Sequence, residues 1–176
     1  VIESLSTEEK DEWHRVVKRM LRICEDANRK KIGVLVDAEQ SWIQDPVDAL
    51  TILMMDTFNK DKAVVYNTMQ LYRHDRLAFL KDSFEAATNR SFILGAKLVR
   101  GAYMEKERRR AADMGYPSPI QPDKESTDRD YNEAVAFSID HLDKLATIVA
   151  SHNEESNLYT ARLLDQKGLR HDHPHI

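Results

Sequence analysis

"KLVRGAYMEKERRRA", residues 97–111, begins as an apolar strand and ends as a heavily charged helix, with Arg-Gly-Ala-Tyr at the junction. A strand needs no glycine at its end. Gly101 carries an entropic cost unless the backbone turns sharply there or something approaches it closely. Whether this junction is an ordinary turn or part of a site depends on what stands at the ends of the other strands.

Outward from that stretch, the chain alternates. Ser6 and Glu9 form a capping-box pattern that predicts an N-terminal helix over 7–30, with an apolar stripe of Trp13, Val16, Val17, Met20, Leu21, Cys24 and Ala27 at helical period. "IGVLVDAE" (32–39) is short, apolar and mostly β-branched, and predicts a buried strand. "QDPVDALTILMMDTF" then sets Asp45 at an N-cap, Pro46 at the first helical position and Asp48 in the first turn of a helix reaching Phe58. Strands over 62–70, 92–99 and 145–151 follow, with helices over 75–88, 102–114 and 154–167. "GYPSPIQPDKEST" (115–127), with its three prolines, predicts a loop, and Thr127 and Asp130 open a helix to about Leu142.

Four strand–helix alternations require parallel pairing, because a crossover helix returns the chain to the same end of the sheet. The expected class is α/β, either an open doubly wound sheet or a barrel. The first strand lacks a Gly-x-Gly-x-x-Gly turn, which weakens the dinucleotide-binding reading of an open sheet. Four βα units do not close an eight-stranded barrel, so the expectation is a partial (β/α)8, TIM-like barrel forming one domain over 1–176. The residues expected to face its interior are Leu35, Val65, Leu98 and Val149. A lone four-stranded piece would expose two edges, so the isolated chain is expected to be marginal or to pair with another copy.

Composition removes several function classes. A net charge of -4 over 176 residues argues against a nucleic-acid binder. No apolar run approaches the ~20 residues of a membrane span. The N-terminus "VIESLSTEEKDEW" is acidic and polar and does not read as a signal peptide. The single cysteine, Cys24, suits a reducing compartment and, lying on the apolar stripe, reads as a buried hydrophobe.

In parallel βα architectures the carboxyl ends of the strands carry the chemistry. Here those ends read Asp37-Ala38-Glu39, Asn67-Thr68-Met69-Gln70, Lys97 to Tyr103, and Ser151-His152-Asn153. Amides, hydroxyls, a lysine, an arginine and a glycine-softened turn suit a large, polar, anionic organic ligand. Each has a blander reading. Asp37 suits a turn, Asn153 the N-cap of its helix, His152 an ordinary loop, and Arg100 a surface pair with Glu105 or Glu107. The "EKERRR" run reads as a solvated helix face. The functional reading gains weight because the four sets fall at equivalent ends of successive strands. Histidines 171, 173 and 175 in "HDHPHI" alternate, but Pro174 favours a plain turn and no metal site is expected.

"VDAEQSWIQ", "YNTMQLYRHD", "GAKLVRGAYMEKERRRA", "GYPSPIQPDKESTD" and "ASHNEES", in this order, closely resemble the flavin-dependent proline dehydrogenases. The resemblance runs from about Ile32 to Leu169. It implies a distorted (β/α)8 barrel holding FAD at the carboxyl ends of its strands. It also implies oxidation of L-proline to Δ1-pyrroline-5-carboxylate, with electrons passed to a membrane quinone. It places Asp37 and Ala38 beside the flavin ring and the proline pocket, and Asn67 and Gln70 as amide contacts to the ring. Lys97 is placed near the flavin N5, Arg100 at the phosphate or ribityl region, and Val99, Gly101 and Ala102 along the cofactor. Ser151, His152 and Asn153 are contacts from a further strand, and Tyr103 is an aromatic close to the substrate. Asp37, Lys97 and Tyr103 are the implied catalytic set.

The resemblance also implies location: cytoplasmic, at the inner face of the membrane, in a bacterium, and the mitochondrial matrix or inner membrane in a eukaryote. Peripheral membrane contact and self-association fit the same picture. The stretches matched span the family's second to fifth strands. Its first strand, with a lysine that pairs with the Asp37 position, is absent, as are the later strands and the terminal helix whose two arginines bind the proline carboxylate. Hydroxyproline dehydrogenase, and a non-catalytic truncated barrel, are the competing expectations.

Overall fold

The structure is a computed structural model that describes residues 5–170 and 172–176. Helix α1 (Thr7–Lys30) opens on Ser6, whose hydroxyl accepts the N–H of Glu9 at 3.2 Å while the Glu9 carboxylate accepts the N–H of Ser6 at 2.8 Å. Both halves of the predicted capping box are therefore formed, and two orphan donors of the first turn are satisfied. The C-terminal half of its apolar stripe, Met20, Leu21, Cys24 and Ala27, packs on the core, and Cys24 is buried completely. Burial pushes that thiol up to about 11, the state of an inert core cysteine.

Four strands follow: β1 (Val34–Val36), β2 (Val65–Gln70), β3 (Leu94–Val99) and β4 (Leu145–Val149). All pair in parallel, in the spatial order β1-β2-β3-β4. A doubly wound sheet reverses its strand order and covers both faces with helices, whereas a barrel adds each strand beside the last. The observed order is that of a barrel wall. Helices α2 (Gln44–Phe58), α3 (Arg76–Asn89), α4 (Met104–Met114), α5 (Lys124–Asp140) and α6 (Glu154–Gln166) complete the chain.

The register assigns the two faces of the sheet. Leu35 pairs with Tyr66, Thr68 with Lys97, Lys97 with Ile148, and Gln70 with Val99. These residues share the open face. On the other face Val65, Met69, Leu94, Ala96, Leu98 and Leu145 are buried with helix residues Met54, Leu80, Tyr131 and Val135. This corrects the expected interior set. Leu35 is on the open face, but Val65 and Leu98 belong to the helix-covered core and Val149 packs against it. A period-2 pattern in fully apolar strands does not say which parity points inward, and one residue of slip exchanges the faces.

Two helix starts also differ from expectation. A 3-10 turn, Ser41–Ile43, precedes α2, so Asp45 and Pro46 lie inside the first turn of α2 and neither caps it. Asp48 is buried, and it accepts from Gln44 at 2.8 Å, Asn67 at 2.7 Å and Arg76 at 2.7 Å. Helix α5 begins at Lys124, because the Asp123 carboxylate accepts the N–H of Ser126 and caps it before Thr127 is reached. At the far edge the Thr147 N–H of β4 donates to the His175 carbonyl at 2.8 Å, so the C-terminal residues lie along that strand. No described helix is long and apolar enough to cross a membrane.

Candidate active site at the carboxyl ends of the strands

A cleft of about 990 Å³ opens where β1 to β4 end. It is lined by Asp37, Ala38, Gln70, Lys97, Val99, Arg100, Gly101, Ala102, Tyr103, Ser151, His152 and Asn153. Every residue expected at the site is in it except Asn67. Thr68, from the same strand-end set, and Lys124 of α5 also line it.

Asn67 sits on the opposite face. It is fully buried against the helices and donates to Asp48 at 2.7 Å. Its expected flavin contact is therefore corrected, since alternation along β2 turns Thr68 and Gln70 toward the cleft and Asn67 away from it.

The floor of the cleft is a row across three strand ends. Lys97 Nζ stands 2.6 Å from Asp37 Oδ1, and the Thr68 hydroxyl between them donates to the Val36 carbonyl at 2.8 Å. Asn153 caps α6 by accepting the N–H of Ser156 at 2.9 Å, and so fixes the 151–153 turn at the rim.

Arg100 is bound by three elements at once. Its Nε donates to Asp128 of α5 at 2.7 Å, Nη1 to Ser151 Oγ at 2.7 Å, and Nη2 to Ser156 Oγ of α6 at 2.9 Å. The guanidinium also lies 4.3 Å over the Tyr131 ring. The surface pairing with Glu105 or Glu107 is not formed: the acidic partner is Asp128. Among the acids of the "EKERRR" run, Glu107 is fully buried, so that run is not a uniformly solvated face.

The strand-end glycine has a structural reason. Gly101 has φ +133°, and a Cβ built on it would lie 2.5 Å from the Tyr72 ring. The close approach that requires glycine is made by Tyr72 from beneath. That tyrosine is buried, its hydroxyl has no hydrogen-bond partner among the described residues, and burial followed by the charge of Glu107 pushes it up to about 12.

The tail histidines form no metal cage among the described residues, where no group of three or more potential ligands is found. His171 lies outside the described residues. His175 Nδ1 is instead 2.5 Å from the Leu142 carbonyl.

Three residues that matter to the cleft were not legible as such: Lys124, and the two supports of Arg100, Asp128 and Ser156. The usable signal for Lys124 was the Asp-Lys-Glu-Ser cap at 123–126, which marks a helix beginning just after the proline-rich loop.

Fold and cleft together define a segment of a parallel βα barrel whose strand ends form a cationic, hydroxyl- and amide-bearing site. A family model described as proline dehydrogenase matches residues 2–175, and the chain belongs to that family. It is 36% identical over 95% of its length to "Proline dehydrogenase 1, mitochondrial" of Caenorhabditis elegans, and covers 28% of that protein. It is 40% identical over 90% of its length to the carbapenem antibiotics biosynthesis protein CarD of Pectobacterium carotovorum, and covers 40% of it. The chain thus spans well under half of these relatives. The crystal structure of proline utilization A from Bdellovibrio bacteriovorus shares the fold with a TM-score of 0.84 at 20% identity, over 92% of this chain and 17% of that one.

Proposed function

We propose that the protein carrying this chain oxidises L-proline to Δ1-pyrroline-5-carboxylate, with FAD held in the strand-end cleft and electrons passed to a membrane quinone. The observation that carries the reading is the Lys97–Asp37 pair on the floor of a cleft lined by amides and hydroxyls. In this reading residues 1–176 are part of one catalytic domain.

The residues present fit the cofactor. An isoalloxazine ring needs a shallow apolar seat with donors at its polar edge, and a pyrophosphate needs N–H and hydroxyl donors. Val99, Ala38, Ala102 and Ala150 give the first, and Gln70, Lys97, Ser151, Asn153 and Lys124 supply donor groups. Bound FAD would supply the two-electron acceptor for cleavage of the substrate C–H bond.

The chain's own residues bind and orient. Lys97 sets a fixed positive charge on the floor of the cleft, which would stabilise the negative charge that a reduced flavin develops there. Asp37 orients that ammonium. Tyr103, half-buried at the rim, forms the wall on the substrate side. Arg100 acts one step back: with its guanidinium bound by Asp128, Ser151 and Ser156, it holds the 151–153 turn in place and is a support for the cofactor's phosphate end.

Transfer to a quinone places the work at a membrane surface, the mitochondrial inner membrane in a eukaryote or the inner face of the cytoplasmic membrane in a bacterium. The test is anaerobic titration of the purified full-length protein, supplied with FAD, with L-proline and in parallel with 4-hydroxy-L-proline. Proline should bleach the oxidised-flavin bands at lower concentration. A protein that takes up no flavin would overturn the reading, and faster bleaching by hydroxyproline would reassign the substrate.

A further inference from the structure

Glu107 is fully buried on α4, yet among the described residues no lysine or arginine pairs with it. An unpaired buried carboxylate is costly unless its oxygens find strong donors. Both do, and in a single distant residue: Oε1 accepts the N–H of Ser41 at 2.6 Å and Oε2 accepts its hydroxyl at 2.7 Å. Ser41 opens the 3-10 turn before α2, so the contact runs from α4 back to the connection after β1, past the end of β2. Next to it the Trp42 ring lies under the Arg110 guanidinium at 4.4 Å and the Lys106 ammonium at 5.6 Å. Two kinds of interaction therefore bind residues 41 and 42 to the same helix.

Between the end of β1 at Val36 and this anchor lie Asp37, Ala38, Glu39 and Gln40, the first three lining the cleft. The contacts of Asp37 and Ala38 to β2 are long, 3.4 Å from Thr68 to Asp37 and 3.5 Å from Gln70 to the Ala38 carbonyl. Besides the Lys97–Asp37 ion pair, whose Asp37 side is 71% exposed, the segment is held at its two ends, by Thr68 on the Val36 carbonyl at 2.8 Å and by Glu107 on Ser41.

We propose that Glu107 is a positioning residue of the cleft, acting through Ser41 to set where Asp37 and Ala38 stand. The proposal deepens the cofactor reading and rests on it only for its consequence in FAD affinity. Its first test needs no cofactor: hydrogen–deuterium exchange of the peptide covering 37–43 in the full-length protein. Glu107→Ala should accelerate exchange there by about tenfold or more, the factor one lost hydrogen bond to a charged group carries, while β3 stays protected. Glu107→Gln should restore most of the protection, because its amide oxygen accepts the Ser41 N–H and its NH2 donates to the hydroxyl. Ser41→Ala, which removes one of the two donors and leaves the backbone intact, should fall between them and serves if Glu107→Ala does not fold.

The second test is FAD titration, where Glu107→Ala should weaken binding about tenfold with Gln again closer to wild type. Unchanged exchange at 37–43 in Glu107→Ala, or a Gln variant no better than Ala, would overturn the proposal. Wild-type protein that binds no FAD would overturn the cofactor reading, and the exchange result would still decide the role of Glu107.

Discussion

The ammonium of Lys97 on β3 and the carboxylate of Asp37 beyond β1 meet at 2.6 Å across the end of β2. The two partners are unequally covered: the Lys97 side chain is 22% exposed and that of Asp37 71%. An ion pair with one partner this wet contributes little to stability. What it does is fix a cation at one point on the floor of the cleft, braced from the β1 side and free toward the space above.

Replacing Lys97 by Met should therefore separate folding from chemistry. With FAD seated over Lys97 as proposed, the site is desolvated and loss of one charge-assisted donor costs about 2–4 kcal/mol of barrier, so reduction of that flavin by proline should slow by about 30- to 1,000-fold. The melting temperature should move little. Single-turnover absorbance measurements check this, and an unchanged rate in the mutant would place Lys97 outside the chemistry.

The acid side of the stability profile should depend on Asp75. Burial pushes its carboxyl up, but hydrogen bonds and charge from Arg76 and Arg73 outweigh burial and hold it below the ordinary 3.8. A folded value below the unfolded one means that the stabilisation is complete above the unfolded value and is lost as pH falls through the folded one. The urea midpoint should thus hold down to about pH 5 and fall below about pH 4, and Asp75→Asn should flatten that decline. Identical acid slopes in the two proteins would show that Asp75 is not a source of the linkage.

Gly101→Ala should destabilise the protein. The φ of +133° alone makes a side chain strained, by about 1–3 kcal/mol, and the new methyl would also meet the Tyr72 ring. Tyr72→Phe should not rescue it, since the atoms in the way are ring carbons and the hydroxyl is not among them. Thermal unfolding of the single and double variants decides, and a Gly101→Ala protein as stable as wild type would remove the steric argument.

Features set by neighbours in the chain were legible in the sequence. The Ser6/Glu9 box and the Asn153 cap each involve residues three apart, and both are formed. So was the polarity of the strand ends, which follows from βα alternation alone. What escaped depended on contacts far apart in the chain. Asn67 and Thr68 look equally suited to a ligand until the register sends one to Asp48 and the other to the cleft. Asp48 reads as a first-turn acid, yet it is buried by Arg76, 28 positions away. Glu107, inside a run of mixed charge, reads as solvated, yet it is buried and bound by Ser41, 66 positions away.

Because β1, β2, β3 and β4 lie side by side in the order in which they are synthesised, none of their three pairings waits for a strand made much later. A chain leaving the ribosome lays β2, β3 and β4 in turn against an edge already made, and the entropy of loop closure is met one βα unit at a time. From β1 to β4 the sheet opens like a fan. At every moment of synthesis its newest edge is both the template for the next strand and the surface most exposed to a wrong partner.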